Sequence, residues 1–395
     1  MENIKSKALL SFIFFPLLAL VFIRPFFSDL LYPALEIYYQ NFLIFFAVIA
    51  LFTNRTALSK NTYNRPLLLL LLAYLLSTAL SFKMQNSIRE TIKLVSCFSV
   101  FFLVRQADET QKKSLIKTIV IAALIISLYS IYQYFWGYQG TLDYLKEMNS
   151  DFILKSSYAK DILITKRSIG TFPSPNILGG YLIMALFLSL SIAESKDHSM
   201  VWYLAPFLIV TALILTKSMG AWLSFVSAFI IFFLLSYKSF KHKKIMALIF
   251  FIFISLAAFF ITISRQERLL DLNDPQNSII QRMGYWRAAS GIIKNHFISG
   301  VGPGNFHEVF LNYKVGGGTD TRYAHNIVLH QWAETGITGL IAIIFLIWAF
   351  IKKAFFKSKY LFLAGLAFIL HNFIDSTYFI SQAGLFWWMI IGLSE

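Results

Sequence analysis

Apolar blocks long enough to cross a lipid bilayer recur along almost the whole chain. A membrane-spanning helix needs about 20 mostly apolar residues, somewhat fewer where the span is short. Only 14% of the 395 residues are charged, whereas about a quarter are charged in a soluble domain. The sequence therefore predicts an all-α polytopic membrane protein with about twelve transmembrane helices, at residues 8–23, 36–52, 66–82, 91–104, 115–136, 175–193, 199–215, 219–237, 245–263, 336–351, 360–374 and 378–393.

Short basic runs beside alternate apolar blocks indicate the orientation. Cytoplasmic loops carry an excess of Lys and Arg. This pattern predicts cytoplasmic termini, with the two long polar intervals, 137–174 and 264–335, outside. The formal charge of +15 then reflects membrane anchoring, and no nucleic-acid partner is expected. The basic residues are Arg55/Lys60/Arg65, Arg105/Lys112/Lys113, Lys238 to Lys244 and Lys352/Lys353/Lys357/Lys359.

The polar intervals divide the chain into four segments. They are N-terminal transmembrane helices at 1–165, central helices with an outer motif at 166–263, an outer loop at 264–335, and C-terminal helices at 336–395. No small-residue cleavage site follows the first apolar block, so it is predicted to be a retained span. The single cysteine, Cys97, lies inside an apolar block and excludes both a disulfide framework and a cysteine-based metal site.

The first outer interval ends in the motif KRSIGTFPSPNILGGYL, residues 166–182. Asn176 opens the next span and is predicted to cap its helix, and Gly179-Gly180 allow a neighbouring helix to approach closely. Arg167 stands just before the helix. It either anchors the chain at the lipid headgroups or forms an anion site with the helix N-terminus. In the next outer turn, TKSMGAW, Lys217 is the only cation and is interpreted as an interfacial anchor.

The second outer interval begins with a segment of helical periodicity. From Ser278 the apolar residues recur at helical spacing, which predicts an amphipathic helix lying on the membrane surface. Arg282 and Arg287 are five residues apart and diverge by about 140° at about 100° per residue. At most one of them can point into a shared pocket, and both can instead be solvated.

Two glycine clusters and a histidine follow. GVGPGNF at 300–306 lacks the spacing and the preceding strand of a dinucleotide-binding loop, so a tight backbone turn explains its glycines. After Gly316–Gly318, the residues Arg322, His325 and Asn326 lead into the next helix. His325 is therefore predicted at the outer end of a helix, as part of a site or as a plain polar contact.

His371 and Asp375, in HNFIDST, are predicted to share one helix face near the outer boundary. Ionisable residues at that depth are costly and face the protein interior. They are either functional or a structural pair that orients the helices.

Several chemistries lack support in the sequence. There is no nucleophile elbow and no HExxH motif, which disfavours hydrolases. The outer carboxylates Asp271, Asp274, Glu308, Asp320 and Glu334 are scattered, so no metal site is indicated. A transporter would place charges along a path through the bilayer. An outward cationic site with a histidine remains, and it suits a substrate with a pyrophosphate and a lipid tail.

The two outer motifs together resemble the O-antigen ligase and polymerase superfamily. They are GTFPSPNILGGYL at 170–182 and GVGPGNF…AHNIVLHQWAETGITGL at 300–340. The resemblance covers residues 165–395 with motifs and the first half only as a hydrophobic pattern. Members of the superfamily are polytopic bacterial enzymes of surface-polysaccharide assembly.

The resemblance implies a C-type membrane glycosyltransferase in the bacterial inner membrane, with a large periplasmic loop over the active site. The donor would be a glycan on undecaprenyl pyrophosphate, and no nucleotide sugar, metal or other cofactor is expected. The implied function is an O-antigen ligase that transfers polysaccharide to a lipid A-core hydroxyl with inversion. A polymerase of lipid-linked repeat units, transfer to a protein, or a transporter of lipid-linked glycans remains open.

The resemblance also implies roles for residues. The family's arginine in an R-x-x-x-W setting falls on Arg282, and the histidine of its H-N pair falls on His325, which makes these the catalytic candidates. The family's arginine in a short S-R-G turn is Met219 here, so Lys217 or Arg167 is expected to replace it. The candidates for substrate binding are Arg167, Asn176, Lys217, Arg287, Arg322 and Asn326.

Overall fold

The structure is a computed structural model that describes residues 2–29, 31–53, 61–147, 162–163, 165–195, 200–236, 277–314 and 320–395. Every long regular element within these ranges is an α-helix. The helices are α1 (Glu2–Ile23), α2 (Pro33–Thr53), α3 (Asn64–Ala79), α4 (Met84–Gln106), α5 (Glu109–Tyr132), α6 (Tyr138–Glu147), α7 (Pro175–Glu194), α8 (Met200–Leu215), α9 (Met219–Ser236), α10 (Ser278–Asn295), α11 (Phe306–Tyr313), α12 (Ile327–Lys357), α13 (Lys359–His371) and α14 (Ser381–Ser394).

Each predicted span within the described residues coincides with one of these helices. The span at 245–263, the basic residues Lys238 to Lys244 and the glycines 316–318 lie outside the described residues. The shortest predicted block, 91–104, is part of the 23-residue helix α4, whose first two turns are polar. Within the described residues, four helical stretches are long and apolar enough to cross a membrane: Pro33–Phe52, Glu109–Asp143, Pro175–Glu194 and Ile327–Lys357.

The centre of the helix bundle is α14. All of its residues from Ser381 to Ser394 are buried, including the two large side chains Trp387 and Trp388. Helices α4, α7 and α13 pack around it. A helix that is apolar on every side lies in a protein core or spans a membrane, and α14 lies in the interior of the bundle.

Hydrogen bonds and ion pairs group the helix ends at two ends of the bundle. At one end, Thr171 Oγ1 donates to the Pro25 carbonyl at 2.6 Å and the Ser381 amide donates to Asp29 at 3.1 Å. At the other end, Tyr63 and Ser394 bond through their hydroxyls at 2.7 Å, and Lys359 pairs with Glu194 at 2.6 Å. Successive helix ends in these contacts lie alternately at the two ends of the bundle, in the order that the predicted spans require. The first group, which includes the start of α7 and the end of α13, is called the site end.

Helices α10 and α11 lie at the site end and pack against α12. Tyr285, Ala289 and Ile292 of α10 are buried in a small core with Phe306 and Phe310 of α11. The predicted amphipathic helix therefore exists, but much of its apolar face is covered by protein. Other residues of the predicted apolar face, such as Ile279 and Met283, are exposed.

The GVGPG segment locks this small core to the bundle. Val301 and Gly302 donate backbone hydrogen bonds to the carbonyls of Ala333 and Glu334 in α12, at 3.0 and 2.9 Å. This close approach needs a break in α12 at Gly336, whose φ of 67° is left-handed. A Cβ on Gly336 would lie 1.9 Å from the Ile298 carbonyl oxygen. Gly300, Gly302 and Gly304 all have a positive φ, as the predicted tight backbone turn requires.

Candidate functional site

Arg282 lies on the second turn of α10 and reaches across to the turn that follows α13. Its Nε donates to the Ile374 carbonyl at 2.6 Å, and its Nη2 pairs with Asp375 Oδ2 at 3.3 Å. A third bond, from Nη1 to the Ser278 carbonyl at 3.1 Å, holds the side chain along its own helix. The guanidinium is therefore fixed at the site end while 20% of the side chain stays exposed.

His325 immediately precedes the N-cap of α12, as the sequence predicts. The cap is Asn326, whose Oδ1 accepts from the amides of Val328 and Leu329, both at 3.0 Å. His325 has a left-handed φ of 50°, a conformation that is uncommon outside glycine. Its ring stacks on Tyr285 of α10, with centroids 5.3 Å apart and planes inclined by 25°. The side chain is half-buried, and its Nδ1 is shielded without a hydrogen-bond partner.

The turn 372–376 joins these two residues. Besides its contacts with Arg282, the turn accepts a hydrogen bond at the Phe373 carbonyl from Asn326 Nδ2, at 2.9 Å. Its Asn372 carbonyl accepts from the Ile327 amide at 2.7 Å. The turn therefore holds the starts of α10 and α12 against the end of α13, and thereby brings Arg282 and His325 into one cluster.

His371 and Asp375 do not share a helix face, which corrects the prediction. Helix α13 ends at His371, with Asn372 as its C-cap, and Asp375 lies in the turn beyond. Asp375 accepts from the Ser376 amide at 2.8 Å and pairs with Arg282. His371 points instead to α7, where its Nε2 lies 3.1 Å from the Asn176 carbonyl oxygen. The helix ends early because the Asn372 side chain accepts from the Tyr378 amide at 2.6 Å.

The first outer motif differs from the prediction at Asn176. Ser174, not Asn176, caps α7, because its side chain accepts from the Asn176 amide at 3.1 Å. The Asn176 side chain instead accepts from Arg167 Nη2 at 3.0 Å. Arg167 is only 6% exposed and also donates to the Thr216 carbonyl at 3.2 Å, so it is not at the lipid headgroups.

The glycines of the motif make this arrangement compact. A Cβ on Gly179 would lie 2.8 Å from Ala221 of α9, and a Cβ on Gly180 would lie 2.8 Å from His371. The predicted close helix approach is therefore present. A polar path therefore runs from Arg167 through Asn176 to His371, the residue immediately before the turn 372–376 that contains Asp375.

Lys217 is buried in the protein and is not the interfacial anchor that the sequence predicts. It has a left-handed φ of 49° and is 8% exposed. Its Nζ donates to the Thr165 carbonyl at 2.7 Å and lies over the Tyr134 ring. Met219, where the family has an arginine, is 36% exposed. Of the two expected replacements, Arg167 therefore lies on the polar path and Lys217 holds a neighbouring loop.

Arg287 and Arg322 both lie on the surface. Arg287 is exposed on α10, consistent with its angular separation from Arg282. Arg322 is exposed in the segment that leads to His325. Neither belongs to the cluster around the Asp375 turn in this structure.

Burial and neighbouring charges shift the pKa values of His325 and Asp375. Burial lowers the pKa of His325 to about 4, a shift that Asp375 opposes and Arg282 reinforces. For Asp375, burial by itself raises the pKa, but interactions with His371, His325 and Arg282 hold it below its ordinary value. At neutral pH the imidazole of His325 is therefore neutral, in a cluster that also contains the Arg282 cation and the Asp375 carboxylate. A neutral imidazole can accept a proton.

Sequence reasoning missed the contribution of two elements. The turn 372–376 contributes mainly backbone carbonyls, which no residue pattern reveals. Tyr285, which stacks on His325, appeared in the sequence only as part of the R-x-x-x-W segment. Its spacing of three residues from Arg282 places it on a neighbouring part of the same helix surface.

The family comparison matches the part of the chain that contains both catalytic candidates. A family model described as O-antigen ligase matches residues 204–344, from α8 to the middle of α12. This match includes Arg282 and His325 and confirms the resemblance to the O-antigen ligase and polymerase superfamily. No curated protein matches the chain.

Proposed function

We propose that this membrane protein, which carries an O-antigen ligase family region, transfers a glycan from undecaprenyl pyrophosphate to an acceptor hydroxyl. The observation that carries the proposal is the meeting of Arg282 and His325 at the Asp375 turn. The two residues are 43 positions apart in the sequence, and three helices converge to bring them together. No nucleotide sugar or metal ion is required for this reaction.

Arg282 has the properties needed to bind the donor. Its charge is permanent, and a guanidinium fork matches the geometry of phosphate oxygens. Bidentate bonds to pyrophosphate grow stronger as negative charge develops on the leaving group. The part of the side chain that remains exposed gives a pyrophosphate access, and Asp375 and Ile374 fix the direction of the fork.

His325 has the properties needed to act on the acceptor. As the acceptor oxygen bonds to the anomeric carbon, the bond from that carbon to the pyrophosphate oxygen breaks. The proton of the acceptor hydroxyl passes to the neutral imidazole, and undecaprenyl pyrophosphate leaves. Because attack occurs opposite the leaving group, the anomeric configuration is inverted. Lowering the pKa of His325 to about 4 keeps the imidazole neutral at physiological pH.

The polar path from Arg167 is the third part of the proposal. Arg167, bonded to Asn176 next to His371, supplies a second positive charge near the start of α7. Arg287, Arg322 and Asn326 remain candidates for substrate contacts around the cluster. We further propose that the site end faces the periplasm from the inner membrane, because the basic residues gather at the opposite helix ends.

The identity of the acceptor distinguishes two forms of this function. We favour a ligase that uses a lipid A-core hydroxyl, and the alternative is a polymerase that joins lipid-linked repeat units. The lipids of a deletion strain distinguish them. A ligase defect accumulates full-length polymer on undecaprenyl pyrophosphate, whereas a polymerase defect leaves single repeat units on the carrier or on the core.

A transport function is tested by reconstitution. Purified protein in nanodiscs, given an undecaprenyl-pyrophosphate-linked glycan and an acceptor, should form the product and release undecaprenyl pyrophosphate. The reaction should proceed with EDTA present and without nucleotide or a membrane gradient. Dependence on a gradient, or loss of all transfer with EDTA, would contradict the proposal.

A further inference from the structure

We propose that the buried pair His330 and Glu334 positions His325 by holding the backbone that precedes it. This inference rests on the proposed function of His325. His330 and Glu334 are one turn apart on α12, and their exposed fractions are 1% and 5%. Neither lies at the Arg282 and Asp375 ion pair, so the proposed transfer mechanism leaves both unused.

The contacts of His330 define the roles of its two ring nitrogens. The amide of Ala324, the residue before His325, donates to His330 Nδ1 at 3.3 Å. Nδ1 therefore carries no proton, and the ring proton lies on Nε2. Nε2 faces Glu334 Oε2 at 3.4 Å. A carboxylate that receives this proton fixes the tautomer, because only this tautomer leaves Nδ1 free to accept from Ala324.

The backbone at His325 needs such support. Its left-handed φ of 50° is unfavourable for a residue with a Cβ. Conformations of this kind persist only where the surrounding structure determines them, and they are frequent at functional sites. The Ala324 amide immediately precedes His325, and the Asn326 cap immediately follows it. The two contacts hold the backbone of His325 from both sides.

Glu334 connects this support to the rest of the small core. Its second carboxylate oxygen, Oε1, accepts from the Phe306 amide at 3.0 Å, at the start of α11. Around His330, the rings of Phe306, Tyr323 and Phe379 lie at centroid distances of 5.2, 5.4 and 4.3 Å. This packing fixes the imidazole plane, so the His330 ring is a rigid anchor for the Ala324 amide.

Two substitutions of His330 separate positioning from general packing. In His330→Asn, the amide oxygen takes the place of Nδ1 and can still accept from Ala324. In His330→Gln, the amide takes the place of Nε2, and the acceptor for Ala324 is lost. We expect His330→Asn to keep kcat within about threefold of wild type and His330→Gln to lose about tenfold or more, since small misplacements of a catalytic group reduce turnover strongly.

Glu334→Gln provides a second route to the same result. A carboxylate accepts from both His330 and Phe306, whereas a carboxamide has one acceptor oxygen and one donor group. At one of the two contacts, the NH2 group of the carboxamide therefore faces another N–H donor. Like His330→Gln, it should lower kcat while changing the donor dissociation constant by less than about twofold, because neither side chain contacts Arg282.

The decisive experiment is a double-mutant cycle in nanodiscs with a synthetic undecaprenyl-pyrophosphate-linked oligosaccharide as the probe. The release of undecaprenyl pyrophosphate and the dissociation constant of the donor are measured for wild type, His330→Gln, His325→Ala and the double variant. Thermal midpoints report folding. If His330 acts through His325, adding His330→Gln to His325→Ala changes the residual rate by less than about twofold.

The outcomes are distinct. Equal losses for His330→Asn and His330→Gln, or additive losses in the cycle, would overturn the positioning role while leaving the base role of His325 intact. A near wild-type rate for His325→Ala would overturn the base role, and the positioning role with it. If His330→Gln fails to fold, Glu334→Gln takes its place in the same cycle with the same expected result.

Discussion

Arg282 and Asp375 form an ion pair between residues 93 positions apart, with Nη2 and Oδ2 separated by 3.3 Å. The contact joins α10 to the turn after α13, and the Arg282 Nε bond to the Ile374 carbonyl keeps the guanidinium in one orientation. Because the Asp375 side chain is buried and the arginine is not fully buried, the pair presents positive charge outward. A pyrophosphate can then approach without breaking the fold.

The first prediction concerns the guanidinium fork of Arg282. Arg282→Lys keeps the charge but loses the bidentate contact, so donor affinity and kcat/KM should fall by about tenfold or more. Arg282→Ala should lower both quantities further. Lys294→Ala on the same helix is the control, because Lys294 is exposed and outside the cluster. Transfer assays in nanodiscs measure both. Equal activity of Arg282→Lys and wild type would refute bidentate binding.

The second prediction concerns the partner of Arg282. Removing one member of a buried ion pair costs about 3–5 kcal/mol, and partial exposure of Arg282 reduces this to about 1–3 kcal/mol for Asp375→Asn. The variant should therefore have a lower thermal midpoint and a lower kcat, because the fork loses its fixed direction. Donor affinity should not decrease, since the arginine loses a competing carboxylate. A variant that loses donor affinity would show that the Asp375 contact is needed for donor binding and not only for turnover.

The third prediction is the pH dependence. The neutral form of His325 is active, and its pKa is lowered to about 4 from an ordinary 6.5. With decreasing pH, kcat/KM should therefore stay level through 6.5 and fall only as the pH approaches about 4. The acceptor used must not titrate in this range. In the donor complex the pyrophosphate charge favours the imidazolium, so kcat should fall at a higher pH than kcat/KM. A kcat/KM midpoint at 6.5 would contradict the lowered pKa of His325.

Helix placement followed from the sequence because it depends on the length of apolar blocks, a property of the chain alone. The end of α13 did not follow, because the Asn372 side chain binds the Tyr378 amide and stops the helix before Asp375. The sequence predicts Asn176 as the α7 cap because asparagine is a good capping residue at the start of a span. The cap is Ser174, and the Asn176 side chain instead accepts from Arg167, a contact with a residue outside the helix.

The geometry of the candidate site could not be predicted from the sequence. The resemblance implies Arg282 and His325 as catalytic candidates, and the basic runs predict an outer position for both, but neither gives the contacts of the two side chains. Burial of Arg167 and the orientation of Lys217 toward Thr165 depend on contacts between segments far apart in the sequence. Backbone carbonyls of the turn 372–376 carry no side-chain signature at all.

The fourth prediction concerns the break in α12. Gly336→Ala would place a Cβ 1.9 Å from the Ile298 carbonyl oxygen at a φ of 67°. The GVGPG segment would then lose its backbone hydrogen bonds to α12. The yield of monodisperse protein in size-exclusion chromatography should therefore fall sharply. The matched control is Gly140→Ala, where no atom lies within 4 Å of the added Cβ. There we expect a neutral effect or a gain of about 0.5–1 kcal/mol, as alanine favours helix.

The central claim is that Arg282 binds the donor while His325 acts on the acceptor, and one comparison of binding with turnover tests it. Donor dissociation constants and single-turnover transfer rates are measured on the same nanodisc preparations of wild type, Arg282→Ala and His325→Ala. We predict that Arg282→Ala loses both binding and transfer. His325→Ala should keep wild-type binding and lose transfer by about a hundredfold or more, as expected for a general base. Loss of donor binding in His325→Ala, or transfer at a near wild-type rate, would contradict the assignment.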